Sequence, residues 1–170
     1  MKYMLIVLNL CLSITLQEAY DNAEPYENYE KYIILEPNQI YTGGLGIYEG
    51  DVYINCQGSI VNLENQNGIW IYADETYLSS LEIEYCNVIS GAYYGLSFSG
   101  TAIGKISNCN FYNNEFGVKA SDSSNIDIEN TNFINNTVYG LAIITEVPIV
   151  TINYSNSWNN GSGDYWENCP

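Results

Sequence analysis

The stretch GKISNCNFYNNEFGVKASDSSNIDIENTNFINNTVYGLAI, residues 104–143, contains one pattern twice. In each copy an alternating apolar run leads to an aromatic residue and a pair of asparagines, and a glycine then opens a second apolar run. Four segments of the chain align on the first half of this pattern: LEIEYCNVISG (81–91), GKISNCNFYNN (104–114), IDIENTNFINN (126–136) and VTINYSNSWNN (150–160). Such self-similarity indicates a repeat fold.

The repeat has a period of about 22–24 residues in two separate registers. The aligned isoleucines are 23, 22 and 24 residues apart, and they are Ile83, Ile106, Ile128 and Ile152. The glycines that open the second apolar run are 27, 22 and 23 residues apart, and they are Gly68, Gly95, Gly117 and Gly140.

Short alternating runs are typical of half-buried strands, and no helical periodicity accompanies them. Leucine-rich repeats have a similar period, but their L-x-x-L-x-L-x-x-N frame is absent. The pattern therefore predicts an all-β fold, a single-stranded right-handed parallel β-helix (a solenoid) with coils of about 22–24 residues. We expect successive coils to stack ~4.8 Å apart. The right hand follows from the preference of parallel crossover connections.

The polar part of the repeat predicts how each coil turns. The four glycines are expected to precede a strand with a positive φ, which costs glycine little. Asparagine is the next residue most tolerant of the left-handed region. The pairs Asn113–Asn114 and Asn135–Asn136, with a third pair at 159–160, are therefore expected at another corner. Stacked in neighbouring coils, their amides are predicted to form a hydrogen-bonded ladder.

Small residues share one inward-facing position of the repeat, and they are Cys86, Cys109, Thr131 and Ser155. Cys86 and Cys109 would lie in adjacent coils, either as stacked thiols or as a disulfide. Free cysteine behaves as a small buried hydrophobe, which favours stacked thiols. There is no CxxC motif and no histidine, so we expect no zinc site.

The N-terminus resembles a targeting segment. A basic start precedes the apolar stretch MLIVLNLCLSITL (4–16), and Ala19 offers a small residue for cleavage, so residues 1–19 are predicted to be a signal peptide. The alternative is a buried N-terminal strand or helix. Export would place the protein in the secreted or cell-surface fraction, without a membrane span in the mature chain.

Two further segments follow from this division. Residues 20–32 are acidic, rich in tyrosine and aperiodic, and are predicted to be a linker or cap ahead of a β-helix domain over residues 33–170. A coil that ended at Pro170 would expose a sheet edge. We therefore expect either further chain or a cap formed by Trp158, Tyr165 and Trp166.

The repeated motif I-x-N-x-x-F-x-N-N, followed by glycine and an apolar run, resembles the right-handed β-helix repeats of the pectate-lyase-like superfamily, especially uncharacterised secreted bacterial members. The resemblance covers about residues 33–160 and implies the fold. Pectate lyases of this fold resemble one another in an Arg or Lys base beside calcium-binding acids, and polygalacturonases carry clustered aspartates and a histidine motif. Because this chain has no arginine and no histidine, the resemblance implies no catalytic site.

The charge balance excludes some classes of partner. The chain has 4 Lys, no Arg and 20 acids, a formal net charge of −16. Nucleic-acid binding and attraction to an anionic membrane need the opposite sign. The high aromatic content, with 17 Tyr, excludes an acidic disordered tail.

One outward-facing column in the glycine register contains Trp70, Ser97, Lys119 and Ala142. Trp70 and the neighbouring Tyr72 could stack on sugar rings, with Lys119 and Asp122 bonding hydroxyl groups. These four residues are the predicted ligand-binding residues, and a polysaccharide or cell-surface glycan is the predicted partner. The alternative is that they are ordinary exposed side chains of a tyrosine-rich sheet.

The outward-facing charged residues of the isoleucine register favour a structural role over a catalytic one. Lys105 lies between Glu82 and Asp127, an opposite-charge ladder worth ~0.2–1 kcal/mol per pair. Glu84 and Glu129 are the candidate catalytic pair, two coils or ~9–10 Å apart, where inverting glycosidases use ~6.5–9.5 Å. Any two acids at this separation would satisfy that spacing.

Calcium is the one conceivable cofactor. It could be bound by acids such as Asp122, Asp127 and Glu129, although no dedicated calcium loop is present. No metal site is therefore predicted.

These observations predict an exported, non-catalytic β-helix module, structural or adhesive, that could bind glycans on an outward strand face. The alternative is a carbohydrate-active enzyme, a polysaccharide lyase or glycoside hydrolase, or a fragment of one.

Overall fold

A computed structural model of the chain describes residues 14–145, 147–166 and 168–170. It contains one short helix, α1 (Leu16–Asp21), and nineteen strands. The strands are β1 (Ile14–Thr15), β2 (Lys31–Ile34), β3 (Ile40–Thr42), β4 (Leu45–Ile47), β5 (Gly50–Asn55), β6 (Ile60–Asn62), β7 (Ile69–Ala73), β8 (Ser79–Glu84), β9 (Asn87–Ile89), β10 (Tyr94–Gly100), β11 (Ile103–Ser107), β12 (Asn110–Tyr112), β13 (Phe116–Ala120), β14 (Asn125–Glu129), β15 (Asn132–Ile134), β16 (Tyr139–Ile143), β17 (Ile149–Asn153), β18 (Asn156–Trp158) and β19 (Gly163–Tyr165).

The strands form three parallel sheets that enclose one core. Sheet I has the order β1-β3-β6-β9-β12-β15-β18, sheet II the order β4-β7-β10-β13-β16-β19, and sheet III the order β2-β5-β8-β11-β14-β17. One coil visits sheet III, then sheet I, then sheet II, and about seven coils follow one another. The predicted parallel β-helix is confirmed.

Residues that are one repeat period apart in the sequence are paired between neighbouring strands of the sheets. Ile106 pairs with Ile83 on one side and with Ile128 on the other, and Ile152 continues the row. Because the coils differ in length by only one or two residues in this region, equivalent inward-facing side chains stack on one another. The rings of Phe111 and Phe133, both fully buried, stack 5.9 Å apart in the same way.

The asparagine corner is confirmed. Asn113, Asn135 and Asn159 have φ values of +57°, +54° and +58°. The second residue of each pair turns inward, where Asn114 and Asn136 are 1% exposed. Asn114 donates from Nδ2 to Asn136 Oδ1 at 3.2 Å, and Asn136 donates to Asn160 Oδ1 at 2.9 Å. This ladder satisfies buried amides along the solenoid axis.

The expected reason for the glycines is wrong at three of the four positions. Gly68 has φ +121°, but Gly95, Gly117 and Gly140 are not in the left-handed region. A Cβ at Gly117 would lie 2.4 Å from the carbonyl oxygen of Gly140 and 3.0 Å from Asn136 Nδ2. Gly95 faces the ring of Phe111 in the same way. Glycine is needed at Gly95 and Gly117 because the chain there passes close to an asparagine, a phenylalanine and the backbone of the next coil.

The expectation of stacked Cys86 and Cys109 thiols is also wrong. Cys86 forms a disulfide with Cys56 of the preceding coil, with a Cα–Cα distance of 4.8 Å. Asn55 pairs with Glu84, so the two cysteines follow paired strand ends. Cys109 is a free, buried thiol, and burial raises its pKa to about 12.

Breaking the Cys56–Cys86 bond is expected to lower the free energy of unfolding by about 3–4 kcal/mol, since it closes a loop between residues 30 apart. Denaturant unfolding with and without a reductant measures this loss. A Cys56→Ala/Cys86→Ala variant should already have the lower stability and should not respond to the reductant. A further response in that variant would assign the effect to the other cysteines.

The two ends of the solenoid are covered to different degrees. Residues 1–13 of the predicted signal peptide lie outside the described residues. Thr15 caps helix α1 by accepting a hydrogen bond from the Glu18 N–H, and Leu16 is fully buried beneath the first coil. At the other end the ring of Trp166 contacts Tyr139 with centroids 4.9 Å apart, and Trp158 is 62% exposed. The predicted domain boundaries stay a prediction.

The segment of residues 20–32 lies against the outer face of sheet III. The ring of Tyr32 stacks on Tyr53 at 4.7 Å, and Tyr29 packs on the same ring at 5.2 Å. Lys31 Nζ donates to the carbonyl oxygens of Asp21 and Ala23. The two ring contacts connect the acidic N-terminal segment to Tyr53 of the second coil, whereas the Lys31 bonds hold the segment together.

Candidate functional site

The outer face of sheet II contains an open groove of about 440 Å³ at its first strands. Three aromatic residues line it, namely Tyr48, Trp70 and Tyr94. Gly46, which also lines the groove, pairs with Trp70 of the neighbouring strand. A Cβ at Gly46 would lie 2.8 Å from Tyr48 Cε2, so only glycine lets that ring lie across the strand.

Trp70 is fixed in this groove from three sides. Ile69 and Ile71 on either side of it are buried, so the alternation of β7 points Trp70 outward. The indole Nε1 donates to Ser99 Oγ at 2.8 Å. The ring of Tyr48 lies edge-on at 5.3 Å, and Tyr72 lies 6.1 Å away. A half-buried indole held in one orientation is a preorganised surface for stacking.

The polar groups of the groove are uncharged. Gln66 and Asn67 line it beside the backbone of the loop glycines. Gln66 Oε1 accepts a long hydrogen bond of 3.5 Å from the Gly44 N–H. Among the described residues that line the groove, none carries a charge. The groove can therefore offer ring faces, amides and backbone groups to a ligand.

The predicted column of Trp70, Ser97, Lys119 and Ala142 is in register, but it is not a continuous exposed surface. Trp70 pairs with Ser97, which pairs with Lys119, which pairs with Ala142. Ser97 is only 6% exposed and Ala142 is fully buried, because their short side chains lie among larger neighbours. Lys119 Nζ lies 5.0 Å from the centre of the Phe116 ring.

The structure brings only two of the four predicted ligand-binding residues together. Trp70 and Tyr72 are neighbours, whereas Lys119 lies two strands away. Asp122 is a corner residue with φ +59°, and its carboxylate accepts the Gly100 N–H at 2.9 Å.

Sequence reasoning missed Gly46, Tyr48 and Tyr94. The signal was available, since GLGIY (44–48) aligns with GIWIY (68–72) in the structure. The first coils diverge from the later repeats and concealed this match.

The charged side chains of sheet III form an ion pair and hydrogen bonds with their neighbours on the outer face of that sheet. Lys105 Nζ lies 2.6 Å from Glu82 Oε1, and Tyr29 donates its hydroxyl to Glu82 at 2.7 Å. That hydrogen bond raises the pKa of Tyr29 to about 12. Burial alone would raise the pKa of Glu82, but the hydrogen bonds from Lys105 and Tyr29 lower it. Asp127, the other predicted partner of Lys105, accepts the Thr151 hydroxyl at 2.6 Å.

The candidate catalytic pair lies on the same face of sheet III. Ser107 pairs with Glu84 on one side and with Glu129 on the other, so the two acids are two coils apart. Glu84 Oε1 accepts hydrogen bonds from the Tyr53 hydroxyl and from Asn55 Nδ2. Burial, together with that bond to Glu84, raises the pKa of Tyr53. The Glu84 carboxylate is thus held against its own sheet, away from the groove on sheet II.

The described residues were also compared with what a metal site and a membrane-spanning helix require. Within residues 14–145, 147–166 and 168–170, no group of three or more His, Cys, Asp or Glu side chains could hold a metal ion. In the same part of the chain no helix has the length and apolar character needed to cross a bilayer.

The chain was compared with protein families, curated proteins and solved structures. Neither curated proteins nor solved structures match the chain. The family model described as the right-handed β-helix region matches residues 27–169, most of the chain. The matched residues contain strands β2 to β19 of the three parallel sheets. The chain therefore belongs to the right-handed β-helix family.

Proposed function

We propose that the chain is an exported, non-catalytic β-helix module of adhesive or structural role that binds uncharged glycans in the groove around Trp70. The observation that carries this proposal is the groove itself, which Tyr48, Trp70 and Tyr94 line together, with the Tyr48 ring lying over Gly46. Concave sites lined by aromatic rings and a few polar groups are typical of small-molecule binding. Sugar rings offer apolar faces to such aromatics and hydroxyl groups to the amides of Gln66 and Asn67.

Charge supports an uncharged ligand. The chain has a net charge of −16, and the described lining residues of the groove offer no cation to offset it. An acidic polysaccharide would approach against the field of the whole molecule. A neutral glycan would not experience this repulsion.

The separation of the acids from the groove supports binding without turnover. Glycoside hydrolysis needs two carboxyl groups that flank the scissile bond. The candidate acids Glu84 and Glu129 lie on sheet III, whereas the groove lies on sheet II. A glycan stacked on Trp70 would not reach them.

Replacing Trp70 by alanine is expected to weaken oligosaccharide binding roughly 10-fold to 30-fold, because an aromatic anchor in a partly closed site carries much of the affinity. Calorimetry with a panel of neutral and acidic oligosaccharides measures this effect. Wild type should bind a neutral member of the panel and not the acidic ones.

The matched control is Trp158→Ala, because Trp158 is exposed on sheet I, away from the groove. It should bind the soluble oligosaccharides as wild type does. Equal losses in both variants, or no binding by wild type, would contradict the proposal. New reducing ends or unsaturated sugars that disappear in Glu84→Gln or Glu129→Gln would instead support the enzymatic alternative.

A further inference from the structure

The outer face of sheet I carries two straight columns of side chains over its last four strands. In the first column each strand contributes an asparagine, namely Asn87, Asn110, Asn132 and Asn156. In the second column each contributes an apolar or aromatic residue, namely Ile89, Tyr112, Ile134 and Trp158. We call these two columns the flat face.

The asparagines of the flat face form a second ladder, distinct from the buried one. Asn110 Nδ2 donates to Asn87 Oδ1 at 2.8 Å, and Asn132 Nδ2 donates to Asn110 Oδ1 at 2.9 Å. A carboxamide has two N–H groups and two lone pairs, so the ladder uses one of each at Asn110. One donor and one acceptor of this half-buried side chain are left for a ligand. Such groups recur at the strand spacing of ~4.8 Å.

The apolar column lies beside these amides. Tyr112 is 45% exposed and Trp158 is 62% exposed, whereas Ile89 and Ile134 are partly covered. The two aromatic residues are two strands apart, or ~9–10 Å. The face therefore alternates ring surface with aliphatic surface along one axis, parallel to a row of amides.

The flat face is also free of charge. Neither of its columns contains an acidic or basic residue, although the outer face of sheet III carries Glu82, Glu84, Lys105, Asp127 and Glu129. In a chain of net charge −16 this separation leaves one regular, neutral surface. An exposed surface that is apolar, regular and uncharged is a candidate for binding.

Area and charge argue against a second copy of the chain as the occupant. Four strands ~4.8 Å apart and two positions ~7 Å apart along each strand cover only about 130 Å². A stable protein interface buries ~800 Å² from each partner. Two copies of a chain with net charge −16 would also repel each other.

We propose that the flat face binds an extended, uncharged polysaccharide in its fibrous or crystalline form. The chains of such a polymer present repeated pyranose faces beside rows of hydroxyl groups. The aromatic and aliphatic column would contact the ring faces, and the asparagine amides would exchange hydrogen bonds with the hydroxyls. A protein surface whose groups repeat at the strand spacing fits a polymer whose rings also repeat better than it fits a single soluble sugar. This site is separate from the groove around Trp70 and does not depend on the function proposed for it.

The test is sedimentation of the full chain with microcrystalline cellulose and with chitin. Wild type should bind at least one of these polymers with little dependence on salt, because no charge is involved. The Tyr112→Ala/Trp158→Ala variant should bind about 10-fold more weakly or not at all. Both residues are substantially exposed, so its circular dichroism and unfolding midpoint should stay close to those of wild type.

Trp70→Ala separates this site from the groove. It should keep binding to the insoluble polymer even where it loses soluble oligosaccharides. Loss of sedimentation in Trp70→Ala, unchanged binding in the double variant, or no binding of wild type to either polymer would overturn the proposal. A wild-type dimer in ultracentrifugation that the double variant lacks would also overturn it, in favour of a second copy as the occupant.

Discussion

Replacing Asn136 by alanine is expected to lower the free energy of unfolding by about 3–5 kcal/mol. Its side chain is 1% exposed and makes four hydrogen bonds. It donates to Asn160 Oδ1 and to the Phe111 carbonyl oxygen, and it accepts from the backbone N–H and the side-chain amide of Asn114. Alanine would take the Asn136 oxygen from the buried Asn114 backbone N–H and would remove one hydrogen bond from each of the other partners, although Asn160 Oδ1 would still accept from the Asn136 backbone N–H and Asn114 Nδ2 would still donate to Val88. The cost is ~1–3 kcal/mol for each buried group left without a partner.

Guanidinium unfolding measures this loss, with the midpoint as the readout because a solenoid can unfold in stages. Hydrogen exchange should show the fastest opening in β12, β13, β15 and β16, which flank the affected corner. The matched control is Asn125→Ala, an exposed residue of β14, which should stay within ~0.5 kcal/mol of wild type. Similar midpoints for the two variants would mean that the ladder does not stabilise the fold.

Replacing Gly117 by alanine is expected to cost about 3 kcal/mol or more, although only one methyl group is added. The new Cβ would lie 2.4 Å from the Gly140 carbonyl oxygen and 3.0 Å from Asn136 Nδ2. The first neighbour is backbone of the adjacent coil, which cannot move without disturbing the sheet. Overpacking of this kind costs roughly 1–3 kcal/mol where side chains can yield, and more where they cannot.

Gly58→Ala is the control that separates close packing from backbone conformation. Gly58 has φ +83°, and a Cβ added there would have no atom within 4 Å. Alanine at this position should therefore lower the free energy of unfolding only by the cost of the left-handed conformation, roughly 1 kcal/mol. Unfolding midpoints of the two variants give the comparison. An equal, small loss in both would mean that packing against the next coil does not require Gly117.

The interior of the repeats could be predicted from the sequence to the level of single residues. Ile106, Phe111 and Asn114 recur at one spacing, and a recurring spacing means recurring neighbours in a stacked coil. The asparagine pairs predicted both the left-handed corner and the buried ladder. Asparagine tolerates a positive φ, and its side-chain amide can both donate and accept hydrogen bonds along a stack. The second ladder of Asn87, Asn110 and Asn132 followed from the same alignment and was missed.

The glycines show the limit of that reasoning. A glycine recurs at the repeat position of Gly117, but the sequence alone does not show why, since a positive φ and a close contact both select glycine. The choice between them depends on where the next coil lies. Gly117 needs only the space, whereas Gly68 needs both, since it has φ +121° and a Cβ there would lie 2.1 Å from the Tyr94 carbonyl oxygen.

The candidate site was predictable only in part. Trp70 and Tyr72 were predicted to face outward from the alternation of β7, and they do so. The groove needs Gly46 and Tyr48 from the preceding coil, whose sequence has diverged from the later repeats. Lys119 and Asp122 share the predicted face but not the groove, because side-chain size at Ser97 and Ala142 decides what is exposed between them.

By itself, the sequence determined the period, the strand register and the side of each sheet on which a residue lies, since these follow from spacing and alternation. Only the tertiary structure decided which divergent segments meet. It paired Cys56 with Cys86, placed Tyr29 against Glu82, and closed a groove between Gly46 and Trp70. The physical reason is that a repeat specifies the neighbours of its own copies, whereas contacts between unlike coils depend on the size and reach of individual side chains.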